Sequence, residues 1–95
     1  MGEFRVEITD HAKMQIAKHF KFGNQASIKK IAIILQELSE TPYTGVGKPE
    51  ALKENLTGFW SRQINPKDRL IYTVNDDLVV VDVISAMGHY SDKYL

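Results

Sequence analysis

The chain has no cysteine, few prolines and no excess of either charge: Cys 0, Pro 3, and 12 Lys+Arg against 12 Asp+Glu in 95 residues. Without cysteine there is no disulfide framework, no thiolate zinc site and no thiol nucleophile. No apolar run approaches the roughly 18 residues of a membrane-spanning helix, and Met1-Gly2-Glu3-Phe4-Arg5 lacks the apolar stretch of a secretory signal. A cytoplasmic protein with no membrane segment is the expectation. The length leaves no room for a second cofactor-binding domain, so residues 1–95 are read as one domain. What is present is ordinary for a globular chain, 43% hydrophobic and 25% charged, with no repeats or low-complexity stretches.

The neutral total hides a segregated pattern. Between positions 11 and 30 stand Lys13, Lys18, Lys21, Lys29 and Lys30 with His11 and His19 and no acid, whereas Asp76, Asp77, Asp82 and Asp92 face Lys93 alone beyond position 70. Such a pattern builds either a solvated helix face or a local positive face that steers a polyanion.

Phe4, Val6 and Ile8 alternate with Arg5 and Glu7, the period of a strand with one buried face. Thr9 and Asp10 offer oxygens to cap a helix. Ala12, Ile16 and Phe20 recur along it, the lysines and both histidines fall on its exposed side, and Gly23-Asn24 stops it. A second helix, capped by Asn24 or Ser27, carries the stripe Ile28, Ile31, Leu35 and Leu38, widened by Ile34, and ends before Pro42. Positions 41–57 read as loop, with a turn of helix expected from Ala51-Leu52. Strands are then predicted over 59–64, 70–74 and 78–84, joined by turns at 65–68 and 75–77. The fold class is α+β: an N-terminal strand and a helical hairpin packed on an antiparallel β-meander.

Several chemistries fail on spacing. A phosphate-binding loop around Gly47-Lys48 would need Gly at 42 and Ser or Thr at 49, and both positions are Pro. The histidines lack zinc-ligand spacing, and no serine lies in a nucleophile elbow. What remains is Glu50, Lys53, Arg62, Arg69 and the His89-Tyr90 pair. Arg62 and Arg69 fall near one end of the same hairpin, sharing a face or offset according to register. Together these groups suffice for phosphodiester cleavage without metal or cofactor. A carboxylate takes the proton of a 2'-hydroxyl, an imidazole protonates the leaving 5'-oxygen, arginine holds the phosphorane charge, and an aromatic ring receives a base. Plainer readings stand beside this one: Glu50 as a loop carboxylate, Arg69 in an ion pair with Asp68 or Asp77, His89-Tyr90 as a surface edge.

The blocks Gly47-Lys48-Pro49-Glu50-Ala51-Leu52-Lys53, Asn55-Leu56-Thr57-Gly58-Phe59-Trp60-Ser61-Arg62, Arg69-Leu70-Ile71-Tyr72 and His89-Tyr90 resemble the YoeB (Txe) branch of the RelE/ParE toxin superfamily. The resemblance implies a RelE-like fold and the toxin half of a type II toxin–antitoxin pair, a ribosome-dependent endoribonuclease that cuts mRNA in the A site. By motif, Glu50 would be the general base, His89 the general acid and Arg69 the transition-state clamp. Tyr90 would position substrate, and Lys53 and Arg62 would add positive charge at the scissile phosphate. The implied partners are a cognate antitoxin (YefM-like or another), the ribosome and its message, and a second copy of the chain, since dimers occur in this branch. Gln63 departs from the basic residue common there, and residues 91–95 extend past the His-Tyr pair. Two other outcomes belong to the same superfamily: a ParE-like protein that binds DNA gyrase without cutting RNA, and an inactive homologue that only sequesters antitoxin.

Overall fold

The computed structural model describes residues 3–88. Strand β1 (Arg5–Ile8) leads into helix α1 (Asp10–Phe22) and helix α2 (Gln25–Leu38). After a loop come strand β2 (Glu50–Ala51), a 3-10 turn (Glu54–Leu56), and strands β3 (Phe59–Gln63), β4 (Arg69–Asn75) and β5 (Val80–Ser85). The sheet order is β1-β5-β4-β3-β2. The expected antiparallel meander is β3-β4-β5. β1 joins it in parallel with β5, Val6 opposite Val81 and Ile8 opposite Val83, and the helical hairpin supplies the crossover that parallel neighbours require.

Both helices start at the caps their sequences offer. The Thr9 side chain accepts from the Ala12 amide, and Asn24 accepts from the Ser27 amide at 2.8 Å. α2 buries Ser27, Ile31, Ile34 and Leu38. Ile31, Ile34 and Leu38 pack with Ala12 of α1 against Leu70, Tyr72, Val81 and Val83, so the helices cover one face of the sheet. Among the described residues neither α1 nor α2 covers the other face, and that is the face on which a site can form.

Four local expectations are corrected. Ala51 extends strand β2 instead of opening a helix, because it pairs with Trp60 of β3. β5 begins at Val80, not at Leu78: Leu78 is 71% exposed and its amide donates to the Asn75 side chain, which closes the turn. Phe20 is not part of the buried stripe but 55% exposed, and His19, expected on the open side of α1, is buried instead. Its Nε2 lies 2.7 Å from the Ala86 carbonyl oxygen.

Candidate functional site

The site is built on β3. Residues directly opposite in a sheet share a face. Glu50 of β2 stands across from Ser61, and Arg69 of β4 stands across from Gln63. Ser61 and Gln63 are two positions apart and point the same way. Glu50 and Arg69 therefore flank the same stretch of β3 from either side, on the face without helices. Two strand spacings and a two-residue offset put their Cα atoms about 12 Å apart, a gap their side chains reach into. Between them lies a cavity of about 360 Å³ lined by Lys48, Pro49, Glu50, Ser61, Gln63 and Arg69, with Gly47 at its back.

The loop that delivers Glu50 is held by a side chain expected elsewhere. Arg62, anticipated at the substrate, is fully buried and points to the helix side of the sheet, opposite in register to Leu70. Its guanidinium donates to Glu37 Oε1 at 2.7 Å, to the Thr41 and Thr44 carbonyls at 2.7 and 2.8 Å, and to the Tyr72 hydroxyl at 3.2 Å. Tyr72 in turn donates to the Pro42 carbonyl at 2.7 Å, and Glu37 also accepts from the Val46 amide at 2.9 Å. The substrate role expected for Arg62 is thus corrected: its donors are spent on the loop between α2 and β2, away from any surface. Burial raises the Tyr72 pKa, and the facing guanidinium partly offsets that rise.

Past this knot, Gly47 lies flat on β3, its carbonyl accepting from the Gln63 amide at 2.6 Å. Its φ of +85° and a Cβ that would fall 2.9 Å from the Gln63 oxygen explain the glycine. Lys48 and Pro49 then carry the chain onto the edge of the sheet. Lys53 is exposed and starts the 3-10 turn, outside the cavity lining. Lys48 lines the cavity in its stead. At the loop's outer corner Tyr43 bonds the Asp76 carboxylate at 2.6 Å and tilts against Trp60. That bond to an anion, reinforced by partial burial, pushes the Tyr43 phenol up to about 12.

Arg69 is half-buried and donates to the Asn65 carbonyl at 3.1 Å. The Asp68 carboxylate is engaged elsewhere, one oxygen with the Gly88 amide at 3.0 Å and the other with the Asn65 amide group at 3.1 Å. The Gly88 carbonyl accepts from the Arg69 amide at 2.9 Å. The chain leaving β5 is therefore tied to Arg69's own backbone at Gly88. His89 and Tyr90 lie outside the described residues. Among the described residues no cluster of three or more His, Cys, Asp or Glu could hold a metal ion, and no helix is long and apolar enough to cross a membrane.

Lysines 13, 18, 21 and 29 are exposed on the helices. Ser61, Gln63 and Lys48 were not singled out as site residues. Their signal was present in the two-residue period around Arg62, but only the β2–β3–β4 register tells which alternate residues face the cavity.

The fold is shared with solved toxins. A YoeB/ParE toxin from Agrobacterium tumefaciens superposes with a TM-score of 0.82 at 28% identity, over 92% of this chain and 100% of that one. YoeB from Staphylococcus aureus, solved as a dimer, gives 0.77 at 32% identity over 93% and 99% of the two chains. Its complex with YefM gives 0.74 at 34% identity over 92% and 98%. Toxin YoeB of a Synechocystis strain is 42% identical over 72 residues, 75% of this chain and 80% of that protein. The class defined by this architecture is the small α+β toxin of toxin–antitoxin pairs. Residues 10–90 match the model of the YoeB-like toxin of bacterial type II toxin–antitoxin systems, and the chain belongs to that family.

Proposed function

We propose that this toxin is a ribosome-dependent endoribonuclease that cleaves mRNA in the A site by metal-free general acid–base catalysis. The observation that carries the reading is the convergence of Glu50 and Arg69 on one cavity, with Gly88, the residue before His89, bonded to the Arg69 backbone. Glu50 takes the proton from the 2'-hydroxyl, whose oxygen attacks phosphorus. Arg69 stabilises the extra charge on the phosphorane. His89 gives a proton to the departing 5'-oxygen, so that a 2',3'-cyclic phosphate and a 5'-hydroxyl result. Tyr90 receives an unstacked base. Lys48, in the cavity wall, supplies the positive charge that Arg62 does not.

A cognate antitoxin is the expected neutralising partner, supported by the YefM complex of the Staphylococcus aureus relative, and a second copy of the chain by that relative's dimer. The site of action is the cytoplasm, where ribosomes carry messages. Glu50→Gln and His89→Gln are expected to lose about 10²–10⁴-fold in cleavage of ribosome-bound message while still folding and binding antitoxin. Cleavage at the wild-type rate by either variant overturns the assignment of roles. Intact messages with DNA damage on induction would point to a gyrase binder, and no toxicity with tight antitoxin binding to a sequestering homologue.

A further inference from the structure

β5 leaves the ladder early. An irregularity between the pairs Ile71–Ser85 and Tyr72–Val83 leaves Ile84 extra, and the strand ends at Ser85. The next residue, Ala86, is fully buried, and side chains of α1 satisfy both of its peptide groups. Gln15 Oε1 accepts from the Ala86 amide at 2.7 Å, and His19 Nε2 meets the Ala86 carbonyl at 2.7 Å. A carbonyl only accepts, so Nε2 carries the proton. Gln15 and His19 are four residues apart on one helix face and grip a single residue from both sides. α1 is itself anchored to the same strand, Thr9 donating from its amide to the Val83 carbonyl at 3.0 Å and from its hydroxyl to Ile84 at 3.2 Å. Downstream, Gly88 is held by Asp68 and Arg69.

We infer that Gln15 and His19 are positioning residues for the general acid, fixing through Ala86 the segment that carries His89. This rests on the endoribonuclease reading above. Buried backbone groups are normally paired within helices and sheets. Here the pairing passes to two side chains at the point where the chain leaves the sheet, three residues before His89 in sequence. The helix thereby fixes Ala86, in the last stretch of described backbone before His89. An acid displaced by about 1 Å costs on the order of 10²-fold in rate, so a clamp on the backbone that leads into it is felt in the chemical step.

The test uses ribosomes programmed with one of two messages, one ordinary, the other with sulfur replacing the 5'-oxygen at the scissile linkage. A thiolate departs without a proton, so the second message needs no general acid. Gln15→Met and His19→Leu keep volume and remove the bonds, whereas Gln15→Glu keeps an acceptor and His19→Gln a donor. Removal is expected to slow cleavage of the ordinary message about tenfold or more at saturating ribosomes, with little change in the half-saturating concentration. The deficit should shrink to about twofold or less on the sulfur message, and the conservative pair should retain most activity. Equal deficits on both messages would show a general structural defect and overturn the positioning role, as would no deficit on either. Wild-type protein that cuts neither message overturns the nuclease reading itself, and this inference with it.

Discussion

Arg62→Ala separates a structural arginine from a substrate-binding one. Its side chain is fully shielded, and its partner Glu37 is 28% exposed. Removing one member of a buried ion pair costs about 3–5 kcal/mol, and partial hydration of Glu37 places this pair near the lower end. The Thr41 and Thr44 carbonyls and the Tyr72 hydroxyl lose a donor as well, at about 1 kcal/mol or more for each that water does not reach. A total of about 4–6 kcal/mol is expected. A domain of 95 residues has roughly 5–14 kcal/mol altogether.

Thermal unfolding followed by circular dichroism should therefore show Tm lowered by about 16–48 °C, at about 4–8 °C per kcal/mol for a domain of this size. Arg62→Lys keeps the charge but not the planar fork that reaches Glu37 and two carbonyls together, and should recover only part of the loss. A double-mutant cycle with Glu37→Gln is expected to return a coupling of about 1–3 kcal/mol. A substrate-binding arginine behaves in the opposite way, leaving Tm untouched and lowering cleavage alone. An Arg62→Ala protein melting within about 3 °C of wild type would refute the network as the support of the loop.

Gly47→Ala forces a side chain into a φ of +85° against the Gln63 carbonyl. It should cost about 1–3 kcal/mol in urea unfolding and reduce cleavage by shifting Glu50, and an unchanged protein would show the loop to be slack. Tyr43 should titrate near 12 in ultraviolet difference spectra against Tyr43→Phe, and Asp76→Asn should bring it back towards 10. Because the folded value is the higher one, its contribution to stability is complete below pH 10 and fades as pH rises towards 12; a Tyr43 that titrates normally contradicts the bond. Phe20→Ser should change stability by no more than about 0.5 kcal/mol, whereas Ile34→Ala, at a fully buried position, should cost about 2–5 kcal/mol. Equal losses would place Phe20 in the core.

Elements governed by local chemistry were legible in the residues. Thr9 and Asn24 cap the helices because short polar side chains reach the free amides of a first turn. The meander follows from strands separated by turn residues. What failed was local in appearance and tertiary in cause. Leu78 and Val79 look like strand, yet β5 cannot begin before Val80, which is aligned with both Asn75 of β4 and Arg5 of β1. His19 displaces Phe20 from the buried face because Ala86, distant in sequence, presents a carbonyl there. Helical period alone does not reveal that partner.

The same distinction governs the site. Glu50 and Arg69 were identifiable as a base and a cation by residue type, but their approach to one cavity depends on the β2–β3–β4 register. Arg62 was misread because a guanidinium is rarely buried without a partner, although Trp60 and Ile64, two positions to either side, mark its face of β3 as the core side. Its burial comes from the loop that folds over it, and that loop ends on Glu50. A residue away from the surface therefore controls where the carboxylate stands: the guanidinium ties Thr41 and Thr44 to β3, Gly47 lies against Gln63, and β2 joins β3 at Glu50. Mutation at Arg62 would then abolish activity for a reason unrelated to the phosphate, and only a stability measurement made beside the cleavage assay separates the two causes.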